Sequence, residues 1–86
     1  MNLIRQNILK RGIAEILDQC EPHLVKDRIT LAQLNMTVQP PATEFDFEQV
    51  MANMEARKQI IRPRDEDEEP TAKLTALGRA EILKKN

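Results

Sequence analysis

Pro70-Thr71-Ala72-Lys73-Leu74-Thr75-Ala76-Leu77-Gly78-Arg79-Ala80-Glu81-Ile82-Leu83 changes its hydrophobic period partway along. Up to Thr75 the pattern alternates, with Ala72 and Leu74 on one side and Thr71, Lys73 and Thr75 on the other, which predicts a strand. From there Leu77, Ala80 and Leu83 recur at helical spacing, and Thr75 stands where a side-chain cap belongs. Just upstream, Ile60-Ile61 is a short apolar run suited to a second strand. Between the two lie Arg62-Pro63-Arg64, five consecutive acids from Asp65 to Glu69, and Pro70. Two short strands joined by a charged turn and followed by a helix set the plan of the C-terminal half.

Three helices are predicted before them. Over residues 2–20, Ile4, Ile8, Leu9, Ile13, Ile16, Leu17 and Cys20 recur every three or four positions, and Pro22 ends the run. Gly12 interrupts this helix and implies that a neighbour packs closely there. Thr30 with Gln33 reads as a capping box, with Ile29 and Leu34 placed as a hydrophobic staple, giving a second helix at about 31–37. Asp46 with Gln49 repeats the device, Phe45 against Val50, giving a third helix at about 47–58. Pro40 and Pro41 break the chain between them. The third helix should bury Phe47, Val50, Met51 and Met54.

The order helix-helix-helix-strand-strand-helix resembles the winged helix-turn-helix superfamily. It is most similar to small bacterial and phage regulators of the arsenic-repressor and multiple-antibiotic-resistance-regulator types. In those families a leucine-threonine pair ends the second wing strand, and a glycine with a following basic residue opens the last helix. Leu74, Thr75, Gly78 and Arg79 stand in those places here, and Met54 through Arg64 corresponds to the third helix and first wing strand. The resemblance implies a single winged-helix domain over residues 1–86, mainly α with a small β-hairpin. It also implies a DNA-binding transcriptional regulator that dimerises through its first and last helices, with Leu3, Ile4, Leu77, Ile82 and Leu83 as the apolar contact.

Composition narrows the chemistry. Thirteen Lys and Arg stand against fourteen Asp and Glu in 86 residues, a net charge of −1 rather than a basic balance. The only aromatic residues are Phe45 and Phe47, so no base-stacking platform is expected. There is no Ser, and Cys20 and His23 are the sole soft ligands, too few for zinc. Cys20 is expected as a small core residue and His23 at the surface. Neither a dinucleotide nor a phosphate-cradling glycine motif is present, since the glycines are Gly12 and Gly78 alone. No enzyme, metal or cofactor is expected. A single cysteine, no apolar run of spanning length and no signal-like amino terminus lead to a cytoplasmic expectation, without membrane attachment.

Two functional readings remain. For DNA, Gln49 and Asn53 are the candidate base readers, and Arg57, Lys58, Arg62, Arg64 and Lys73 the candidate phosphate contacts, with Lys26 and Arg28 nearby. The alternative is a winged helix used as a protein-interaction module. In that case Asp65, Glu66, Asp67, Glu68 and Glu69 would dock a basic protein surface. The resemblance favours the first, a DNA-binding regulator, while charge pulls toward the second, because residues 46–58 carry a net of −1 and residues 59–69 a net of −3. The connection from Val38 to Phe45, longer than a compact helix-turn-helix uses, points the same way.

Overall fold

Asn2 begins the first helix: its side-chain oxygen accepts the Arg5 amide at 2.7 Å, and α1 runs Leu3–Gln19. The computed structural model describes residues 1–64 and 68–85. Leu9, Ile13 and Leu17 from the predicted stripe are buried, and Ile16 and Cys20 lie partly against the core. Ile4 and Ile8 remain exposed, so the buried stripe is narrower than the sequence pattern.

A strand absent from the sequence reading, β1 (Val25–Lys26), leads straight into α2 (Asp27–Leu34). This helix starts a turn before the predicted 31–37, and Thr30 is not its cap. Thr30 is fully buried, and its hydroxyl turns back to the Lys26 carbonyl at 3.4 Å. No side chain caps the helix. Instead the Asp27 N–H donates to the Pro70 carbonyl at 2.9 Å, so backbone from a distant segment satisfies one open amide.

One side chain closes the proline-rich connection that follows. Asn35 Nδ2 donates to the Ala42 carbonyl at 3.0 Å while its Oδ1 accepts the Ala42 N–H at 2.8 Å. Helix α3 then spans Glu44–Ala56, capped by Thr43 rather than Asp46: the Thr43 hydroxyl accepts the Asp46 N–H at 3.0 Å. Phe45 is exposed and forms no staple with Val50; the staple positions fall to Ala42 and Phe47, both buried. Phe47, Val50, Met51 and Met54 are buried as the periodicity predicts. The helix ends in a reversed turn, with the Gln59 N–H on the Met54 carbonyl (2.8 Å), the Lys58 N–H on the Glu55 carbonyl (2.9 Å) and Lys58 at φ 62°.

The two predicted strands are β2 (Ile60–Ile61) and β3 (Thr71–Leu74), antiparallel, with Ile60 opposite Leu74. β1 joins the other edge, Val25 opposite Ala72, so the predicted hairpin is part of a three-stranded sheet in the order β1-β3-β2. Ala72 and Leu74 bury their face, as the alternation requires. Helix α4 (Ala76–Ile82) is capped by Thr75 as the sequence predicts, the hydroxyl accepting the Gly78 N–H at 2.9 Å. The same hydroxyl donates to the Lys58 carbonyl at 2.8 Å, and the Thr75 N–H to the Gln59 carbonyl at 3.0 Å. The described residues thus form a mainly α structure of four helices and a small antiparallel sheet around one apolar core. None of these helices is long and apolar enough to cross a membrane.

The two glycines mark close approaches of different kinds. A Cβ on Gly78 would lie 2.2 Å from the Gln59 carbonyl oxygen, whereas one on Gly12 would meet the Leu34 side-chain tip at 2.6 Å. Backbone cannot yield as a leucine methyl can. Gly78→Ala should therefore cost about 1–3 kcal/mol in urea unfolding. Gly12→Ala should stay near neutral, because a helix-propensity gain of about 1 kcal/mol offsets the crowding. Equal costs at the two positions would contradict this packing.

Candidate functional site

Arg62, expected as a phosphate contact, is in the interior. Its side chain is 4% exposed, and it follows β2 directly, beneath α2 and α3. Its guanidinium grips the Glu48 carboxylate with two bonds, Nη1 to Oε1 at 2.8 Å and Nη2 to Oε2 at 3.0 Å. Nη2 also donates to Asp27 Oδ2 at 2.9 Å. One cation thus ties the first turn of α2 to the middle of α3. A guanidinium in this position cannot reach a nucleic-acid phosphate.

The remaining candidate residues lie on and around α3 and the strands that follow it. Gln49 is exposed on α3. Asn53, half-buried, accepts a bond from Lys10 Nζ at 2.8 Å and is engaged with α1. Arg57 and Lys58 are exposed beyond the C-terminal end of α3. Arg64 is exposed and donates to Glu55 at 2.7 Å, and Lys73 is half-buried on β3. Lys26 and Arg28 both converge on Glu69, at 3.2 and 3.0 Å. Glu68 is exposed; Asp65, Glu66 and Asp67 lie outside the described residues.

With its true boundaries α3 is more acidic than the sequence reading suggests. Glu44–Ala56 holds Glu44, Asp46, Glu48 and Glu55 and no basic residue. Its outer face carries Phe45, Glu48, Gln49, Ala52 and Ala56. Beside it, between α2 and α3, runs a groove of about 520 Å³ with an apolar floor of Leu31, Ala32, Phe47 and Pro70. Asp27, Glu44 and Glu48 line the same groove, with Arg28 as its one cation among the described residues. Sequence reasoning missed this groove because its two walls meet only once Asp27 and Glu48 share Arg62.

Electrostatics follow from the same contact. Burial pushes the Asp27 carboxyl above the usual aspartate range, outweighing the attraction of Arg62. Glu48, more open to water, is held below its usual value by its hydrogen bonds to Arg62. Asp27 Oδ1 and Arg62 Nε are buried without a partner.

The soft ligands separate: Cys20 packs partly against the core while His23 is exposed. Among the described residues no group of three His, Cys, Asp or Glu converges as a metal site. The apolar set for self-association also divides. Leu83 belongs to the core and Ile82 packs partly on it, while Leu3, Ile4 and Leu77 are exposed. Arg79, within α4, and Lys85, beyond its end, both bond Asp18 near the C-terminal end of α1.

No family model, curated protein or solved structure matches the chain.

The two carboxylates of the clasp should respond to acid with opposite signs. Glu48, with its folded pKa depressed, contributes stability that is lost as pH falls through that value. Asp27, with its folded pKa raised, binds its proton more readily in the folded state, so its contribution grows as pH falls toward the unfolded value. Asp27→Asn removes the second response, and the variant's stability should fall more steeply than the wild type's as pH drops toward the ordinary aspartate value of about 3.9. Carboxyl carbon NMR titrations check the cause directly: an Asp27 midpoint at or below that of an exposed aspartate would contradict it.

Proposed function

We propose that the chain is a winged helix that serves as a protein-interaction module, docking a basic segment of a partner in the acid-rimmed groove between α2 and α3. The order α1-β1-α2-α3-β2-β3-α4, with α2 and α3 as the helix pair and the β2–β3 connection as the wing, supports the winged-helix reading. The observation that carries the interaction reading is the charge on α3, four carboxylates and no cation from Glu44 to Ala56. A helix of that charge laid in a DNA groove would face phosphates it repels, and the counterion release that drives DNA affinity would be lost. The groove instead suits a lysine or arginine whose aliphatic stem lies on Leu31 and Phe47 and whose charged head meets Glu44 and Glu48. Complementary charge of this kind governs association rate and partner choice more than raw affinity.

A DNA-reading role draws support from the same order of elements and from exposed Gln49, Arg57 and Lys58. Fluorescence anisotropy with two labelled probes separates the two readings. One is a random-sequence duplex; the other is a helical peptide alternating lysine and leucine at one-turn spacing. At low ionic strength the peptide should bind, and Glu44→Gln with Glu48→Gln should weaken it by about tenfold or more. The duplex should bind weakly or not at all. Tight duplex binding with a steep salt dependence, unaffected by these substitutions, would overturn the interaction reading.

A further inference from the structure

A second groove, of about 520 Å³, lies on α1 where it meets the C-terminal ends of α3 and α4. It is cationic. Lys10, Arg57 and Lys84 line it, brought together from three separate parts of the chain, with Arg11, paired to Glu15, and the carboxylate of Glu81 also in its wall. Among the described residues neither Arg57 nor Lys84 has a carboxylate within ion-pair distance, and Lys10 is held by the neutral amide of Asn53. Gln59, which is 5% exposed, also lines the groove. Its Nε2 donates to Glu81 Oε1 at 3.2 Å, while its Oε1 is buried with no donor. A buried carbonyl left unbonded is costly, on the order of 1–3 kcal/mol, and marks a place where a donor belongs.

We propose that this groove binds a small phosphorylated polyol, such as a sugar phosphate or the ribose phosphate part of a nucleotide. The phosphate lies among Lys10, Arg57 and Lys84, and a neighbouring hydroxyl donates to Gln59 Oε1. Cations that outnumber the one lining carboxylate, Glu81, repel one another, and a dianion relieves that repulsion. Lys10 registers the crowding: burial and the neighbouring Arg57 lower its pKa, outweighing the opposite pull of Glu81. Cations converging in one concavity suit a single phosphate rather than the row of phosphates along a duplex. The presence of Glu81 beside Gln59 favours a ligand that brings hydroxyl donors as well as negative charge. The groove falls within the roughly 300–1,000 Å³ usual for small-molecule sites. It lies apart from the α2–α3 groove and shares no lining residue with it, so the two readings stand or fall separately.

Amide chemical-shift titration of the whole chain tests the site, with inorganic phosphate, ribose 5-phosphate and a short duplex DNA as separate probes. Ribose 5-phosphate should shift Lys10, Arg57, Gln59 and Lys84 saturably at millimolar concentration or below, and more tightly than inorganic phosphate. Arg57→Gln, at an exposed position, should weaken it about tenfold, equivalent to about 1.4 kcal/mol, with an unchanged melting temperature. Gln59→Met should erase the preference over inorganic phosphate; should that variant fail to fold, Arg57→Gln still decides. No saturable shift up to about 10 mM would overturn the proposal. So would shifts indifferent to Arg57→Gln, or saturation of these amides by the duplex at lower concentration than by ribose 5-phosphate.

Discussion

The Arg62 guanidinium, buried against Glu48 and Asp27, is the contact on which the arrangement of the other elements depends. A cation in the interior must be paired, and a guanidinium satisfies carboxylates only along its fixed fork. Its partners sit on two different helices, so the angle between α2 and α3 is constrained by side-chain geometry as well as by apolar packing. The start of α2 is held from a third direction, through the Asp27 N–H on the Pro70 carbonyl. Helix pair and sheet thereby become one unit. The same pairing withdraws a central cation from the surface and leaves the outer side of α3 acidic.

The other half of the structure is held by backbone rather than charge. Thr75 caps α4 and also reaches the Lys58 carbonyl, while Gly78 lets the helix rest on the Gln59 carbonyl. That docking places the end of α4 next to α1 and brings Lys84 toward Lys10 and Arg57. Charge is consequently segregated. Among the described residues, carboxylates dominate between α2 and α3, and cations predominate where α1 meets the ends of α3 and α4, although the chain as a whole is close to neutral.

Local signals were legible in the sequence wherever a residue's partners lie within a few positions of it. Thr75 as the cap of α4, the alternation of Ala72 and Leu74, and the four buried positions of α3 are of this kind. Thr30 and Asp46 misled because a cap sequence does not reveal which way its side chain turns. Thr30 turned inward, and Thr43, three residues earlier, took the role assigned to Asp46. β1 was missed because two residues carry no period. The site was less legible than the fold. Asp27 and Glu48 lie 35 and 14 positions from Arg62, and nothing local distinguishes that arginine from Arg64. The groove of Lys10, Arg57 and Lys84 is likewise assembled only by the tertiary structure.

A double-mutant cycle on Arg62→Met and Glu48→Ala, read by urea unfolding at neutral pH, tests the structural role of Arg62 most directly. Losing the cation leaves Asp27 buried and unpaired, so Arg62→Met should cost about 3–5 kcal/mol. Glu48→Ala should cost less, because Asp27 still holds the guanidinium, and the two changes should couple by about 0.5–3 kcal/mol. An Arg62→Met protein within about 0.5 kcal/mol of the wild type, with additive effects across the cycle, would contradict the clasp and return Arg62 to the exposed basic set.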